Sequence, residues 1–208
     1  EGRAHELIIS NKGAHHLSLN KGTSTQSYPS SLMGSIALIR QTYLDGEWYK
    51  QQDKESNLSL EAWNEIQELP QIFETRDHLE ALRVDRIANE FETKFIIKGS
   101  GTEYRRIEAI KATGQSFILP LNFPDAFDVE DPYDALIVSL TQLKHWELAS
   151  ENPGRVANAG ISIALTTDGL SKKAAFLPML RKAVDSGLSK EQALKALTLT
   201  PATMLNVY

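Results

Sequence analysis

The sequence predicts an α/β fold built on a parallel sheet, and three observations support this prediction. From residue 70 onward, short apolar segments alternate with amphipathic helical patterns, an order that is typical of β-α-β units. The chain has 208 residues, of which 41% are hydrophobic, so it can bury a substantial core. Charged residues make up 24% of the chain and aromatic residues are spread along it, which argues against wholesale disorder.

The N-terminal part of the chain, residues 1–30, is predicted to be loop-rich. It is polar and has no sustained hydrophobic period, so we expect mostly loop there. A helix running to about Lys50 is expected next, because apolar residues recur on one helical face. These residues are Leu32, Ile36, Ile39 and Tyr43. A second, shorter helix is expected to open at Ser59.

Four short strands are predicted after residue 70. Each is an apolar or alternating run that is bounded by Pro, Gly or polar residues. The strands are Gln71–Glu74, Phe95–Ile97, Phe117–Leu121 and Ile161–Leu165.

Helices are predicted between and after these strands from hydrophobic period, N-cap residues and terminating glycines. Two of them are Asp77–Glu92 and Glu103–Ala112. A third is expected to begin at Asp131-Pro132 and to carry Leu136, Ile137, Leu140 and Leu143 on one face. The others are expected before Gly160, around Phe176–Val184, after the capping box Ser189–Gln192, and at Thr200-Pro201.

The topology selects a set of candidate site residues. Right-handed crossovers bring the carboxyl ends of all the strands to one edge, where parallel sheets and barrels bind their ligands. Asp168, which stands before Gly169, can bind a metal, take a proton from water, or cap the following turn. Glu74 and Lys98 end adjacent strands and can form a substrate anchor, an acid–base pair or a plain ion pair. Asn122 completes the set.

Other motifs and the composition restrict the function further. Gly99-Ser100-Gly101 between a strand and a helix can be a simple turn or a phosphate loop, although the third glycine of a dinucleotide fingerprint is missing.

The absence of cysteine excludes a disulfide scaffold, a thiol nucleophile and an iron–sulfur site. The net charge of -5 argues against a nucleic-acid partner, and the longest apolar runs are too short to span a bilayer. No signal peptide is seen at Glu1–His5.

Three segments resemble the amidohydrolase superfamily, nearest to its imidazolonepropionase-like branch. Residues 160–169 resemble the eighth barrel strand with its terminal aspartate, and residues 187–202 resemble the helices that close the barrel. Residues 28–41 resemble a helix earlier in the barrel of that branch. The resemblance implies a partial (β/α)8 TIM barrel of the metal-dependent hydrolase type over residues 31–208, covering roughly strands five to eight and a preceding helical region.

The resemblance also implies a site. The family binds one or two divalent metals, such as Zn, through an H-x-H, a Lys or Glu after the fourth strand, one His each after the fifth and sixth, and an Asp after the eighth. Asp168 matches this last residue, a metal ligand and proton shuttle. Glu74 and Lys98 stand at the two His positions and are assigned, with Asn122, to substrate binding. The H-x-H is absent from the sequence.

Two functions follow from the resemblance. The first is metal-dependent hydrolysis of carbon–nitrogen bonds, other than peptide bonds, in a small-molecule substrate. The alternative is a catalytically degenerate barrel that acts as a binding or scaffold domain. We expect no nucleic-acid or membrane partner and consider a homo-oligomer. Since a complete barrel takes about 250 residues, we also expect the remainder of a longer chain as a partner. Both cytoplasm and periplasm stay open as locations.

Overall fold

The computed structural model describes residue 8 and residues 11–207. Part of the predicted loop-rich segment, at residues 1–7, 9 and 10, lies outside the described residues, as does Tyr208. The region predicted to lack a signal peptide, Glu1–His5, also lies outside them. Among the described residues, no helix combines the length and the apolar character needed to cross a bilayer.

The described chain alternates strands and helices. The strands are β1 (His15–Ser18), β2 (Gln71–Glu74), β3 (Phe95–Lys98), β4 (Ser116–Pro120) and β5 (Ile163–Thr166). The helices are α1 (Leu32–Lys50), α2 (Leu58–Ile66), α3 (His78–Glu90), α4 (Ile107–Ala112), α5 (Pro132–Ile137), α6 (Leu140–Leu148), α7 (Asn152–Asn158), α8 (Phe176–Asp185), α9 (Lys190–Leu197) and α10 (Leu199–Met204).

The strands form one parallel sheet in sequential order, β1-β2-β3-β4-β5. All five carboxyl ends therefore lie at the same edge, as the sequence predicted for the four strands after residue 70. The register aligns Glu74 with Lys98, and Lys98 with Ile118 of the next strand. Because side chains alternate between the two faces of a sheet, residues in one such row project from the same face.

The hydrophobic core lies between the sheet and the helices. Phe73 and Phe95 meet edge-to-face, with 5.1 Å between their ring centroids. The buried core also contains Ile97, Phe117, Leu119, Val84, Ile87 and Val156. Since Phe73 and Ile97 point into this core, their neighbours Glu74 and Lys98 project from the opposite face. The core thus directs both charged side chains away from the helices.

Strand β1 is a correction to the predicted loop-rich segment, because residues 15–18 form a strand that the sequence analysis did not predict. The four residues His-His-Leu-Ser carry neither an apolar run nor an alternation. What makes them a strand is the neighbouring chain: β1 pairs in parallel with β2, and the His15 N–H donates to the Pro70 carbonyl at 2.9 Å. Pairing between strands is a tertiary effect that local propensity does not report.

The helix predicted from Asp131 is a second correction, because two helices stand in its place. Val138 has extended backbone, with ψ of 114°, and Ser139 opens α6 with a capping box to Gln142. The apolar face is also not buried, since Leu136 and Ile137 are each 80% exposed. The apolar residues therefore recur with a helical period, but they do not pack into the core as such a period usually indicates.

Several helix starts differ from their predicted positions. Helix α4 begins at Ile107 and not at Glu103, because Glu103–Arg106 form a separate 3₁₀ turn. Helix α2 begins at Leu58, because the Asn57 side chain accepts the first-turn N–H groups. Helix α10 begins at Leu199, so Thr200-Pro201 lies inside its first turn. The capping box at Ser189 is confirmed.

Candidate functional site

Three of the predicted site residues meet at the carboxyl ends of the strands. The Lys98 ammonium lies 2.9 Å from Glu74 Oε1 and 2.7 Å from Asp168 Oδ2. Lys98 ends β3 and Asp168 follows β5, so this side chain reaches across β4 to the second carboxylate. We call Glu74, Lys98 and Asp168 the rim cluster.

The turn after β5 positions Asp168 and brings Asn122 to the same place. The Asp168 N–H donates to Thr166 Oγ1 at 3.2 Å. Gly169 has a φ of 76°, and a Cβ on this residue would lie 2.4 Å from Asn122 Nδ2. Only glycine therefore combines the left-handed backbone with room for the amide. Asn122 packs on this turn, beside the residue that follows Asp168 in the chain, and makes no described contact with Glu74 or Lys98.

Thr75, the residue after β2, holds the end of β3 in place. Its backbone N–H and its hydroxyl both donate to the Lys98 carbonyl, each at 3.0 Å. These bonds hold the ends of β2 and β3 together, so the register that aligns Glu74 with Lys98 continues to the last residue of each strand.

The charges of the rim cluster stabilise one another. Burial acts to lower the pKa of Lys98, but the hydrogen bonds to Asp168 and Glu74 outweigh it, so the pKa is raised. The hydrogen bond from Lys98 holds the pKa of Asp168 below its usual value. Lys98 is therefore a stable cation and Asp168 a stable carboxylate at neutral pH. Neither group has a pKa near 7, where general acids and bases work best.

The rim cluster is a poor fit for a divalent metal. An ammonium has three donors and no lone pair, so Lys98 cannot be a ligand while it is protonated. It also occupies the space between the two carboxylates that would have to bind the metal. Among residues 8 and 11–207, no group of three His, Cys, Asp or Glu side chains comes together as a metal site.

The loop Gly99–Gly101 is a turn organised by a carboxylate of the protein itself. The N–H groups of Ser100 and Gly101 donate to the two Glu103 oxygens, at 2.8 and 3.1 Å, and the Gly99 N–H donates to the Ile118 carbonyl at 2.9 Å. All three N–H groups are thus engaged, which argues against the phosphate-loop alternative.

Glu103 is a residue that the sequence analysis missed. It is fully buried and also accepts a hydrogen bond from Asn152 Nδ2 at 2.8 Å. The spacing Ser-x-x-Glu at Ser100–Glu103 was the available signal, because a glutamate three residues after a serine is the pattern of a capping box. The carboxylate stabilises the turn beside Lys98 and has no place in the rim cluster.

The histidines take structural positions. His78 and His145 lie in α3 and α6, where their Nδ1 atoms contact Thr102 Oγ1 at 3.3 Å and the Tyr104 hydroxyl at 3.2 Å. Burial lowers the pKa of both. His15 is buried in β1 beside Trp63, and His16 follows it. Within the part of the chain that the structure describes, none of these four histidines hydrogen-bonds to the rim cluster.

We expect the Lys98→Met substitution to raise the pKa of Asp168 toward its ordinary value of 3.8, because it removes the hydrogen bond and the charge that lower it. The lowered pKa means that this ion pair stabilises the fold above pH 3.8 and that its contribution is lost as the pH falls through the folded-state pKa. A ¹³C NMR titration of the carboxyl group measures the shift, with Lys182→Met as the control. An unchanged Asp168 pKa in Lys98→Met would show that the ion pair does not form in solution.

Comparisons with known proteins bear on the fold. No protein-family model and no curated protein matches the chain. An amidohydrolase from Thermotoga maritima MSB8 is similar in structure, with a TM-score of 0.72 and 20% identity over 98% of this chain and 54% of that one. A prolidase complexed with N-methylphosphonate-L-proline has a TM-score of 0.47 and 12% identity over 94% and 56% of the two chains. An uncharacterized protein has a TM-score of 0.42 and 17% identity over 65% and 33%.

The likeness to the amidohydrolase confirms the predicted fold class. A parallel sheet in sequential strand order is the arrangement of a TIM barrel, and the chain spans about half the length of the amidohydrolase that it matches. The imidazolonepropionase-like branch stays a prediction. The chain has the fold of part of a (β/α)8 barrel.

Proposed function

We propose that the rim cluster binds a small polar ligand without a metal, and that the chain is a catalytically degenerate barrel domain. The observation that carries the proposal is the position of the Lys98 ammonium, which lies 2.9 Å from Glu74 and 2.7 Å from Asp168. In this arrangement the lysine supplies the positive charge that a metal supplies in hydrolases of this fold.

The charge and exposure of the cluster indicate the class of ligand. Two carboxylates and one ammonium leave a net negative charge at the rim. The side chains of Glu74 and Asp168 are 56% and 59% exposed, so their outer oxygens are accessible to a hydrogen-bond donor. The Asn122 amide packs against Gly169, the residue after Asp168, and offers both a donor and an acceptor. A small molecule with an amine and an amide, such as an amino-acid amide, matches these groups.

Ligand-observed NMR with glycinamide tests the binding proposal. We expect the glycinamide signals to show binding to the wild-type protein. The double variant Glu74→Gln/Asp168→Asn should bind glycinamide at least ~10-fold more weakly, because both charged acceptors are lost. The variant Asp53→Asn/Glu55→Gln carries the same changes at exposed positions outside the cluster and should bind like the wild type. Equal binding by all three proteins would refute a ligand site at the rim.

Hydrolysis of carbon–nitrogen bonds by metal-activated water is the second candidate, and the fold shared with an amidohydrolase favours it. On this reading Asp168 is the metal ligand and proton shuttle, and Glu74, Lys98 and Asn122 bind the substrate. The metal would have to separate Lys98 from both carboxylates. Release of ammonia from a panel of amides in the presence of Zn²⁺ distinguishes the two candidates: turnover that is lost in Asp168→Asn favours hydrolysis.

The predicted partners also stay proposals. The half-length match to the amidohydrolase supports the remainder of a longer chain as a partner that continues the barrel. A homo-oligomer stays a prediction.

A further inference from the structure

A cavity of about 410 Å³ lies at the opposite end of the sheet from the rim cluster. Gln71, the first residue of β2, lines it, whereas Glu74, the last residue of the same strand, belongs to the rim cluster. Its walls come from α1, from α2, and from the end of α3 with the residues that follow it. This volume is in the range of small-molecule sites in proteins. We call it the aromatic cavity, after the rings of Tyr43, Trp63 and Phe91 that line it.

The three rings form a continuous aromatic wall. Tyr43 stacks on Phe91, with 4.6 Å between centroids and 14° between planes, and meets Trp63 edge-on at 5.1 Å. Each of the three side chains is partly exposed, so ring surface faces the cavity. Gly46 permits the close approach of Trp63, since a Cβ on this glycine would lie 2.7 Å from Trp63 Cδ1. The Tyr43 hydroxyl donates to Gln71 Oε1 at 2.8 Å, and burial raises the pKa of Tyr43, so the wall is uncharged.

The charged groups around this wall are mostly carboxylates. Glu47, Glu90 and Glu92 line the cavity against a single cation, Lys50. Glu90 already pairs with Arg40, and Glu47 lies 3.7 Å from Lys50. Within the described part of the chain, Glu92 makes no ion pair. No lysine or arginine of that part lies over any of the three rings.

We propose that the aromatic cavity binds a small organic cation whose ammonium group lies against Trp63 and Tyr43 and near the carboxylate of Glu92. The faces of aromatic rings attract cations, and nearby carboxylates strengthen the attraction. An anion would meet three carboxylates in the same space. A neutral apolar ligand would use the rings but would leave the Glu92 carboxylate without a charged partner, so the positive charge is the decisive feature.

Isothermal titration calorimetry with three probes tests the role of the charge. Choline carries a quaternary ammonium, butylammonium carries a primary one, and 3,3-dimethyl-1-butanol has the shape of choline without its charge. We expect at least one of the two cations to bind ~10-fold or more tightly than the neutral alcohol. Tighter binding of choline indicates a quaternary ammonium ligand, and tighter binding of butylammonium indicates a primary amine. Equal affinity for all three probes, or no binding of any, would overturn the proposal.

Matched variants locate the binding. Trp63→Leu should weaken binding of the better cation by ~10-fold, whereas Trp48→Leu, which alters a half-exposed tryptophan outside the cavity, should leave it unchanged. Because Trp63 also packs on Tyr43, Glu92→Gln serves as a second test that disturbs no packing and should weaken binding by ~3-fold. Cation binding that survives both the Trp63 and the Glu92 substitution unchanged would place it elsewhere and refute the proposal.

Discussion

The Glu103→Ala variant is expected to lower the free energy of unfolding by about 4 kcal/mol. The fully buried carboxylate accepts hydrogen bonds from the Ser100 and Gly101 N–H groups and from Asn152. Its removal leaves three donors unsatisfied: the Asn152 amide, which is buried, and the Ser100 and Gly101 N–H groups, which are partly buried. A buried donor without a partner costs about 1–3 kcal/mol, and a partly buried one costs less. Urea denaturation followed by tryptophan fluorescence measures the loss.

Two further variants control for this expectation. Glu108→Ala removes an exposed carboxylate nearby in α4 and should change the free energy of unfolding by less than about 0.5 kcal/mol. Glu103→Gln keeps the shape of the side chain but turns one acceptor into a donor that faces other donors, so its loss should be intermediate. A loss below about 1 kcal/mol for Glu103→Ala would mean that water satisfies the three donors after the substitution.

The Lys98→His substitution is expected to create affinity for Zn²⁺, with binding roughly 100-fold tighter than that of the wild-type protein. It removes the ammonium that neutralises the two carboxylates and supplies a neutral imidazole nitrogen between them. Three ligands of the types that Zn²⁺ prefers would then share one side of the rim. Calorimetry measures the affinity, and the visible absorption of bound Co²⁺ reports the ligand geometry.

The control for this gain is Lys98→Met, which removes the charge without adding a ligand. Its affinity for Zn²⁺ should lie between those of the wild type and Lys98→His, because two carboxylates are released but no third donor is present. Wild-type binding as tight as that of Lys98→His would contradict the view that the lysine excludes a metal, and it would favour the hydrolase candidate instead.

Much of the fold could be predicted from local pattern. Helix α1 runs to Lys50 as expected, and β2 begins and ends at the predicted residues. Strand β1 could not be predicted in this way, because its four residues are held by pairing with β2. The division of the helix after Asp131 into α5 and α6 was also missed, since a repeating apolar pattern continues across the break at Val138.

The candidate site was also predicted only in part from the sequence. A rule about parallel strands selected Glu74, Lys98, Asn122 and Asp168, and the structure brings the three charged residues into direct contact. The roles assigned to them stay predictions. The pairing of Lys98 with Asp168 could not be read from the sequence, because it crosses β4 between residues 70 positions apart.

The sequence by itself determined the α/β class, the parallel order of the strands after residue 70 and the edge at which the polar residues gather. These depend on hydrophobic period, caps and turns, which are properties of neighbouring residues. Only the tertiary structure decided that Lys98 joins two carboxylates, that Glu103 occupies the N–H groups of the glycine loop, and that three rings and their carboxylates line one cavity. Hydrogen bonds and ion pairs depend on distances of about 3 Å between groups that are far apart in the chain.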